Sequence, residues 1–226
     1  MFSIEEEEKN ALLSKWSEQI PPDWQDKNKN ERRKYLELYI EDEKYKKERD
    51  HKGYGRGNHG EPMIEYLRSK NPESVLDVGC GYGNFCNIVS EFVPNVYGAD
   101  IASVKTGNII NNEKINFIDS DALSLNLPDK SIDYVVSFDC LEHCLEEDID
   151  EIIRNFARMA KKGFIFSIAY RQAGERSNHG EFLHMTVKPE SWWLQIIEKY
   201  ASLVHRVGTY YGEGSKYLVF EVKNHN

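Results

Sequence analysis

No run of apolar residues in this sequence approaches the roughly 20 needed to cross a bilayer as a helix, so no membrane partner is expected. Cysteine is sparse. Cys80, Cys86, Cys140 and Cys144 are the four, and no two stand as CxxC, which argues against a zinc knuckle or a dithiol redox motif. Free thiols are the expectation. Positive charge is in deficit, with 29 Lys and Arg against 38 Asp and Glu and a net charge of −9. A protein that grips a phosphate backbone usually carries a basic surface that displaces counterions, so nucleic acid is not expected as a partner. The acidic runs "EEEE" and "LEEDIDE" read as solvated helix faces. The opening "MFSIEEEEKN" is acidic where a secretory leader would be basic and then apolar, and a cytoplasmic location is expected.

What is present is a folded chain. With 226 residues, 40% apolar and 12% aromatic, one substantial domain with a modest extension is expected. Residues 1–57 read as a helical cap or lid. "IEEEEKNALLSKWSEQI" sets Leu12, Leu13, Trp16 and Ile20 at helical spacing, "IPPDW" breaks the pattern, and "NKNERRKYLELYIEDEKYKKERD" resumes it. The glycine- and histidine-rich "HKGYGRGNHGEP" follows, either a linker or a loop able to close over a ligand.

Residues 58–226 alternate strand and helix. Strands are expected at "SVLDVG", "NVYGADI", "INFIDSD", "IDYVVSFD", "GFIFSIA", "ASLVHRVGTY" and "KYLVFEV". Helices are expected at "EPMIEYLRSK", "NFCNIVSEFV", "VKTGNIINN", "DIDEIIRNFARMA" and "PESWWLQIIEKY". The middle strands are almost continuously apolar, as when helices cover both faces of a parallel sheet. The last two, separated by "YGEGS", suit an antiparallel hairpin. The fold class is therefore α/β, a Rossmann-like doubly wound sheet.

The chemistry begins at "SVLDVGCGYGNF". Glycines in a strand-to-helix turn let the backbone bend and a ligand approach, and the helix beyond offers free N–H groups. A GxGxG alone is weak, since dinucleotide enzymes use a similar turn; their third glycine would fall where Asn84 stands. Asp77, two residues before Gly79, suits an ammonium better than a pyrophosphate. Asp100 ends the second strand, where an acid accepts ribose hydroxyls. Asp121 follows the third strand, within reach of an adenine amino group. For each acid taken alone a structural role, helix cap or Asx-turn, competes.

Together, "VLDVGCGYGNF", "VYGADI", "DSDALSLNLPDKSIDYVVSFDCLEH" and "GFIFSIA" resemble, in order, the motifs of class I S-adenosylmethionine-dependent methyltransferases, and closest of all their small-molecule branch. The resemblance covers about residues 60 to 222. It implies a seven-stranded sheet with an antiparallel last strand, and S-adenosyl-L-methionine as cofactor with S-adenosyl-L-homocysteine as product. It places Asp77, Gly79, Cys80, Gly81 and Gly83 around the methionine part, Asp100 and Ile101 at the ribose, and Asp121 and Ala122 at the adenine. Phe138 falls near the sulfonium. "SFDC" stands where a "DPPY" or "NPPY" tetrapeptide would mark methylation of DNA bases or of glutamine. A small-molecule acceptor follows as the expected partner, methylated at oxygen or nitrogen, with a sugar, nucleotide-sugar or phenol as the candidate classes and the enzyme a monomer or homodimer.

The acceptor side is read from fewer signals. His143, after the fourth strand, and His184, after the fifth, are the candidate catalytic residues; a packing role competes for both. Tyr54, Arg56, His59, Tyr170, Arg171 and Trp192 are candidate acceptor contacts, and one of Trp192 and Trp193 is expected in the core and the other half-exposed, because neighbouring helix positions do not share a face. Asp139, Glu142, His143 and His184, with His179 as a further candidate, make a carboxylate–imidazole set suited to a divalent cation, although a metal is not the expectation. That pattern resembles the site of small-RNA 2′-O-methyltransferases, but has Asp139 where they carry Glu and lacks their paired histidines. Two alternatives stand beside the small-molecule enzyme: a metal-assisted RNA 2′-O-methyltransferase, and a module that binds the cofactor or its product without transferring methyl.

Overall fold

The computed structural model of the chain describes residues 61–102, 109–173, 180, 182–209 and 214–223. The expected 1–57 cap, with Tyr54 and Arg56, and also His59 and His179, lies outside them. In chain order the elements are α1 (Glu61–Lys70), β1 (Ser74–Val78), α2 (Asn84–Val89), β2 (Asn95–Asp100), β3 (Ile115–Asp119), β4 (Ile132–Phe138), α3 (Ile149–Met159), β5 (Ala160–Ser167), α4 (Glu190–Ile197), β6 (Ala201–Thr209) and β7 (Ser215–Val222).

The strands form one seven-stranded sheet in the order β3-β2-β1-β4-β5-β7-β6. β1 pairs in parallel with β2 and β4, β2 with β3, and β4 with β5. β7 runs antiparallel to both β5 and β6. The doubly wound sheet and antiparallel last strand expected from the sequence are thus the architecture observed. The strand order reverses between β1 and β4, and ligands of such sheets bind in the crevice beyond the carboxyl ends at that switch.

Strand alternation builds a core on each face. Leu76, Val78, Val135, Phe164, Phe166, Leu218 and Phe220 face α3 and α4. Val75, Tyr134, Val136, Ile165, Tyr217 and Val219 face α1 and α2. Every residue of β1 is buried, which is why its sequence carries no polar face. In α3, Ile149, Ile152, Ile153 and Phe156 recur at helical spacing and are all buried.

Three elements differ from the sequence reading. β5 begins at Ala160 rather than Gly163, pairing Ile132 with Ala160. Its exposed Lys161 and Lys162 look like a loop, but both reach the buried Asp133 carboxylate, at 3.6 and 2.7 Å, which also accepts the Glu73 N–H at 2.9 Å. α2 is shorter than expected and closes at Ser90, whose N–H donates to the Cys86 carbonyl. Residues 109–112, read as the end of a helix, are not helical. There Asn112 donates through Nδ2 to Asn87 Oδ1 and Ser90 Oγ, while its Oδ1 accepts the Lys114 N–H. Such side-chain bonds compete with the helical ladder. The remainder of that segment lies outside the described residues. No helix among the described residues is long and apolar enough to cross a membrane.

Candidate active site

The β1–α2 turn sits at the switch point, and its glycines are dictated by geometry. Gly79, Gly81 and Gly83 have φ of 78°, 55° and 83°, the left-handed region that side chains disfavour. A Cβ on Gly79 would lie 2.4 Å from Cys140 Sγ, and one on Gly83 would lie 2.6 Å from Phe117 Cζ. The turn is therefore pressed between the exits of β3 and β4. Gly79 and Cys80 both donate N–H to the Ala99 carbonyl, at 2.8 and 3.1 Å.

Asp100 ties the same turn from β2. Its Oδ2 accepts the Gly81 N–H at 3.0 Å and its Oδ1 the Ala102 N–H at 2.9 Å. Each carboxylate oxygen has a second lone pair, so bracing the turn and accepting a ligand hydroxyl are compatible. Ile101 is half-buried beside it.

Asp77 is 3% exposed, on the face toward α2. Burial, with the nearby Asp100 charge adding to it, raises its carboxyl to about 7; the Cys86 thiol, donating at 3.6 Å, opposes the rise. Cys80 is buried, and its bond to Cys86 and its burial push its thiol well up. Neither cysteine is a nucleophile in this state. A buried carboxyl of raised pKa under a glycine turn is ready for a cation.

Asp121 makes the Asx-turn, its Oδ1 accepting the N–H groups of Leu123 at 3.0 Å and Ser124 at 2.8 Å. Ala122 is buried. Phe138, at the end of β4, stands edge-to-face between Phe85 (centroids 4.9 Å apart) and Tyr217 (6.0 Å).

Beyond β4 the chain turns sharply at Asp139, a non-glycine residue with φ of 49°. Its Oδ1 accepts the Ser167 hydroxyl at 2.6 Å and its N–H donates to the Ser167 carbonyl at 2.8 Å, so β5 holds the strained residue in place. A 3₁₀ turn, Leu141–His143, follows. Its middle residue, Glu142, is fully buried. Glu142 Oε1 accepts the Ala169 N–H at 3.1 Å, whereas Oε2 has no hydrogen-bond partner among the described residues. Burial, with the Asp139 charge adding to it, holds this carboxyl well above the usual range.

The loop after β5 is fastened to that turn. The Glu142 carbonyl accepts the N–H groups of Met185 at 2.8 Å and Thr186 at 2.9 Å, and the Thr186 hydroxyl donates to the Cys144 carbonyl at 2.8 Å. The loop thus brings His184 to His143, with ring centroids 4.7 Å apart and planes at 88°. His143 Nδ1 lies 2.9 Å from the Leu183 carbonyl and His184 Nδ1 2.6 Å from the Arg171 carbonyl. A carbonyl only accepts, so both Nδ1 atoms carry a proton, and each ring in its neutral form has its lone pair on Nε2. His184 is 9% exposed, and burial lowers its pKa from the ordinary value.

The two candidate catalytic histidines are therefore neighbours. Arg171 meets His184 through its backbone carbonyl, while its guanidinium donates to the Gln172 carbonyl at 3.2 Å. Tyr170 is buried, its ring filling the space a Gly214 side chain would need. Of the two tryptophans Trp193 is the one in the core; Trp192 is half-buried, packed edge-to-face on Trp193 with the Lys188 ammonium 5.6 Å from its ring. Sequence reasoning missed Ser167 and Thr186, which position the site. The only signal for them was polarity inside apolar stretches, "GFIFSIA" and "LHMTV".

A family model described as a methyltransferase domain matches residues 60–213. Norajmaline N-methyltransferase of Rauvolfia serpentina is 32% identical over 114 residues, 46% of this chain and 38% of that protein. Phosphoethanolamine N-methyltransferase of Plasmodium falciparum (isolate 3D7) is 27% identical over 151 residues, 63% of this chain and 55% of that protein. The chain thus spans little more than half the length of these curated relatives at most. Among solved structures, magnesium protoporphyrin IX methyltransferase from Synechocystis PCC 6803 with bound S-adenosylhomocysteine superposes with a TM-score of 0.58 at 17% identity, covering 84% of this chain and 93% of that one. At that identity the likeness is one of fold.

Proposed function

The chain belongs to the class I S-adenosylmethionine-dependent methyltransferase family, and from that premise we propose that it methylates an oxygen or nitrogen of a small-molecule acceptor. The observation that carries the reading is the glycine turn at the sheet's switch point, flanked by a buried, cation-seeking Asp77 and by Asp100. Three successive left-handed glycines, two of them packed against Cys140 and Phe117, give a side-chain-free turn that fits a ligand lying close to backbone.

S-adenosylmethionine, when bound, supplies an electrophilic methyl on a sulfonium. Asp77 takes the ammonium of its methionine part; Gly79, Gly81 and Gly83 let the backbone lie against it. Cys80 lies with that turn, and Asp100 would accept the ribose hydroxyls, with Ile101 beside them. Asp121 would accept the adenine amino group, and Ala122 would pack beside the base. Phe138 closes the apolar side. His143 and His184 receive the acceptor, and an Nε2 lone pair is suited to take its proton. Rate then comes chiefly from holding the acceptor in line. Tyr170, Arg171 and Trp192 form the outer wall. The relatives' N-methyltransferase activities support nitrogen as an acceptor atom, and a small-molecule enzyme with no membrane-spanning helix among its described residues fits a cytoplasmic location.

The test is calorimetric titration with S-adenosylhomocysteine, wild type against Asp100→Ala, followed by a methyl-transfer screen of small amines and alcohols. Removing a buried carboxylate that braces the turn costs about 1–3 kcal/mol of binding, a loss of about five- to 150-fold. Absence of binding by well-folded wild type sinks the proposal.

A further inference from the structure

Glu142, His143 and His184 can each bring one ligand atom within 4.8 Å of the others. We propose that these three residues form a binding site for a divalent transition-metal cation, whose remaining positions take an oxygen of the acceptor. The inference rests on the proposed methyltransferase function for its purpose, but the site stands on its own geometry.

Three observations converge on it. Glu142 is fully buried, and its Oε2 has no hydrogen-bond partner among the described residues. An oxygen left so is costly unless something satisfies it. Protonation alone does not help, because the added O–H would need an acceptor in the same place. Next, both imidazoles are in one tautomer, each Nδ1–H held by a backbone carbonyl, of Leu183 and of Arg171. That outer bond is the usual companion of a metal-ligating histidine, orienting the ring and leaving Nε2 as the donor. Finally, the cluster is rigid. The Glu142 carbonyl holds the Met185 and Thr186 N–H groups, Thr186 holds the Cys144 carbonyl and His143 holds the Leu183 carbonyl, so the two loops that supply the ligands cannot separate without breaking four hydrogen bonds. Asp139, a fourth residue of the sequence pattern, is not part of the triad and is engaged by Ser167.

The donor set selects the ion. Two imidazoles and one carboxylate suit Mn²⁺, Fe²⁺, Co²⁺ or Zn²⁺ rather than Mg²⁺, which prefers all-oxygen shells. Three protein ligands leave positions open, as catalytic rather than structural sites do. Glu142 lies two residues beyond Cys140, whose side chain is pressed against Gly79, so the cation faces the acceptor end of the crevice. An acceptor bearing a hydroxyl, carboxylate or phosphate oxygen would bind there, and a hydroxyl on the cation gives its proton to water more readily than in solution.

The experiment uses the full chain stripped with EDTA and dialysed. Co²⁺ and Zn²⁺ are titrated by calorimetry, with Co²⁺ also followed by its visible d–d bands. Wild type should bind one ion at micromolar or tighter affinity. Glu142→Gln, which keeps a carbonyl for the Ala169 N–H, and His184→Ala should each weaken binding at least tenfold. His205→Ala, an exposed histidine on β6, should leave it unchanged. S-adenosylhomocysteine titration of the same proteins separates the two claims: intact product binding with lost metal binding in Glu142→Gln and His184→Ala supports the site. A folded wild type that binds no ion in stoichiometric amount overturns it, as does binding that neither ligand substitution weakens.

Discussion

Asp77 makes the cofactor side of the site testable by pH alone. Its carboxyl is raised from an ordinary 3.8 to about 7 by burial and by Asp100, with the Cys86 thiol opposing. In the ligand-free protein it therefore holds a proton from pH 4 to 7 that the unfolded chain releases. The folded state then binds more protons than the unfolded one, so stability falls as pH rises through that window. The full difference is about 4 kcal/mol, at 1.36 kcal/mol per tenfold change in proton affinity. An ammonium placed beside Asp77 reverses the preference and expels the proton. Affinity for S-adenosylhomocysteine should drop by about fivefold from pH 7 to pH 6 and by close to tenfold from pH 6 to pH 5, about fiftyfold in all. Titration at pH 5, 6 and 7, in two buffers of different ionisation enthalpy, should count nearly one proton released per ligand bound at pH 5. Asp77→Asn should bind weakly, with a flat profile and no proton release. Equal wild-type affinity at pH 5 and 7 would refute the reasoning.

Gly83→Ala places a Cβ 2.6 Å from the Phe117 ring at a φ of 83°; the left-handed backbone alone costs about 1–2 kcal/mol, and the variant should show a lower Tm and at least tenfold weaker product binding. Phe117→Leu in the same chain should recover part of the Tm and not all of it, because the backbone cost stays. Thr186→Val removes a buried hydroxyl donor from the Cys144 carbonyl; a loss of about 1–3 kcal/mol is expected, with faster amide exchange at Met185 and Thr186 before any change at β1. Phe156→Ala empties the α3 stripe and should cost about 3–5 kcal/mol in a denaturant melt, with product binding unchanged where the protein remains folded.

The cofactor half was legible because its constraints are local. Glycines 79, 81 and 83 announce left-handed backbone, and Asp77 and Asp100 sit at fixed offsets from apolar strands, so one segment of sequence carries one piece of geometry. The acceptor half is assembled from two loops some 40 residues apart. His143 and His184 could be named singly, but not that their rings meet or that each Nδ1 is held by a carbonyl. Glu142 could be named as a candidate cation ligand, but its complete burial could not, because that depends on how β5 and its loop close over it. The start of β5 was missed for a similar reason, since two lysines look solvated until Asp133 is found beneath them. Asn112 was read into a helix because its neighbours are helix-compatible, and its own side-chain bonds decide otherwise.

The segment from Phe138 to His143 touches everything at once: Phe138 packs on Phe85, Cys140 underlies Gly79, Glu142 anchors the β5 loop, and His143 ends the turn. Those assignments are spaced like marks on a ruler, and inserting or deleting one residue there would put each mark against the wrong partner. Novelty in the acceptor must therefore enter elsewhere. The outward residues of the opposite loop, Phe182, Met185 and Val187, are exposed and alternate with the fastened Leu183, His184 and Thr186. Descendants of this chain can exchange those outward positions freely while the ruler stays as it is, which makes that short stretch the place where a laboratory seeking new substrates should randomise first.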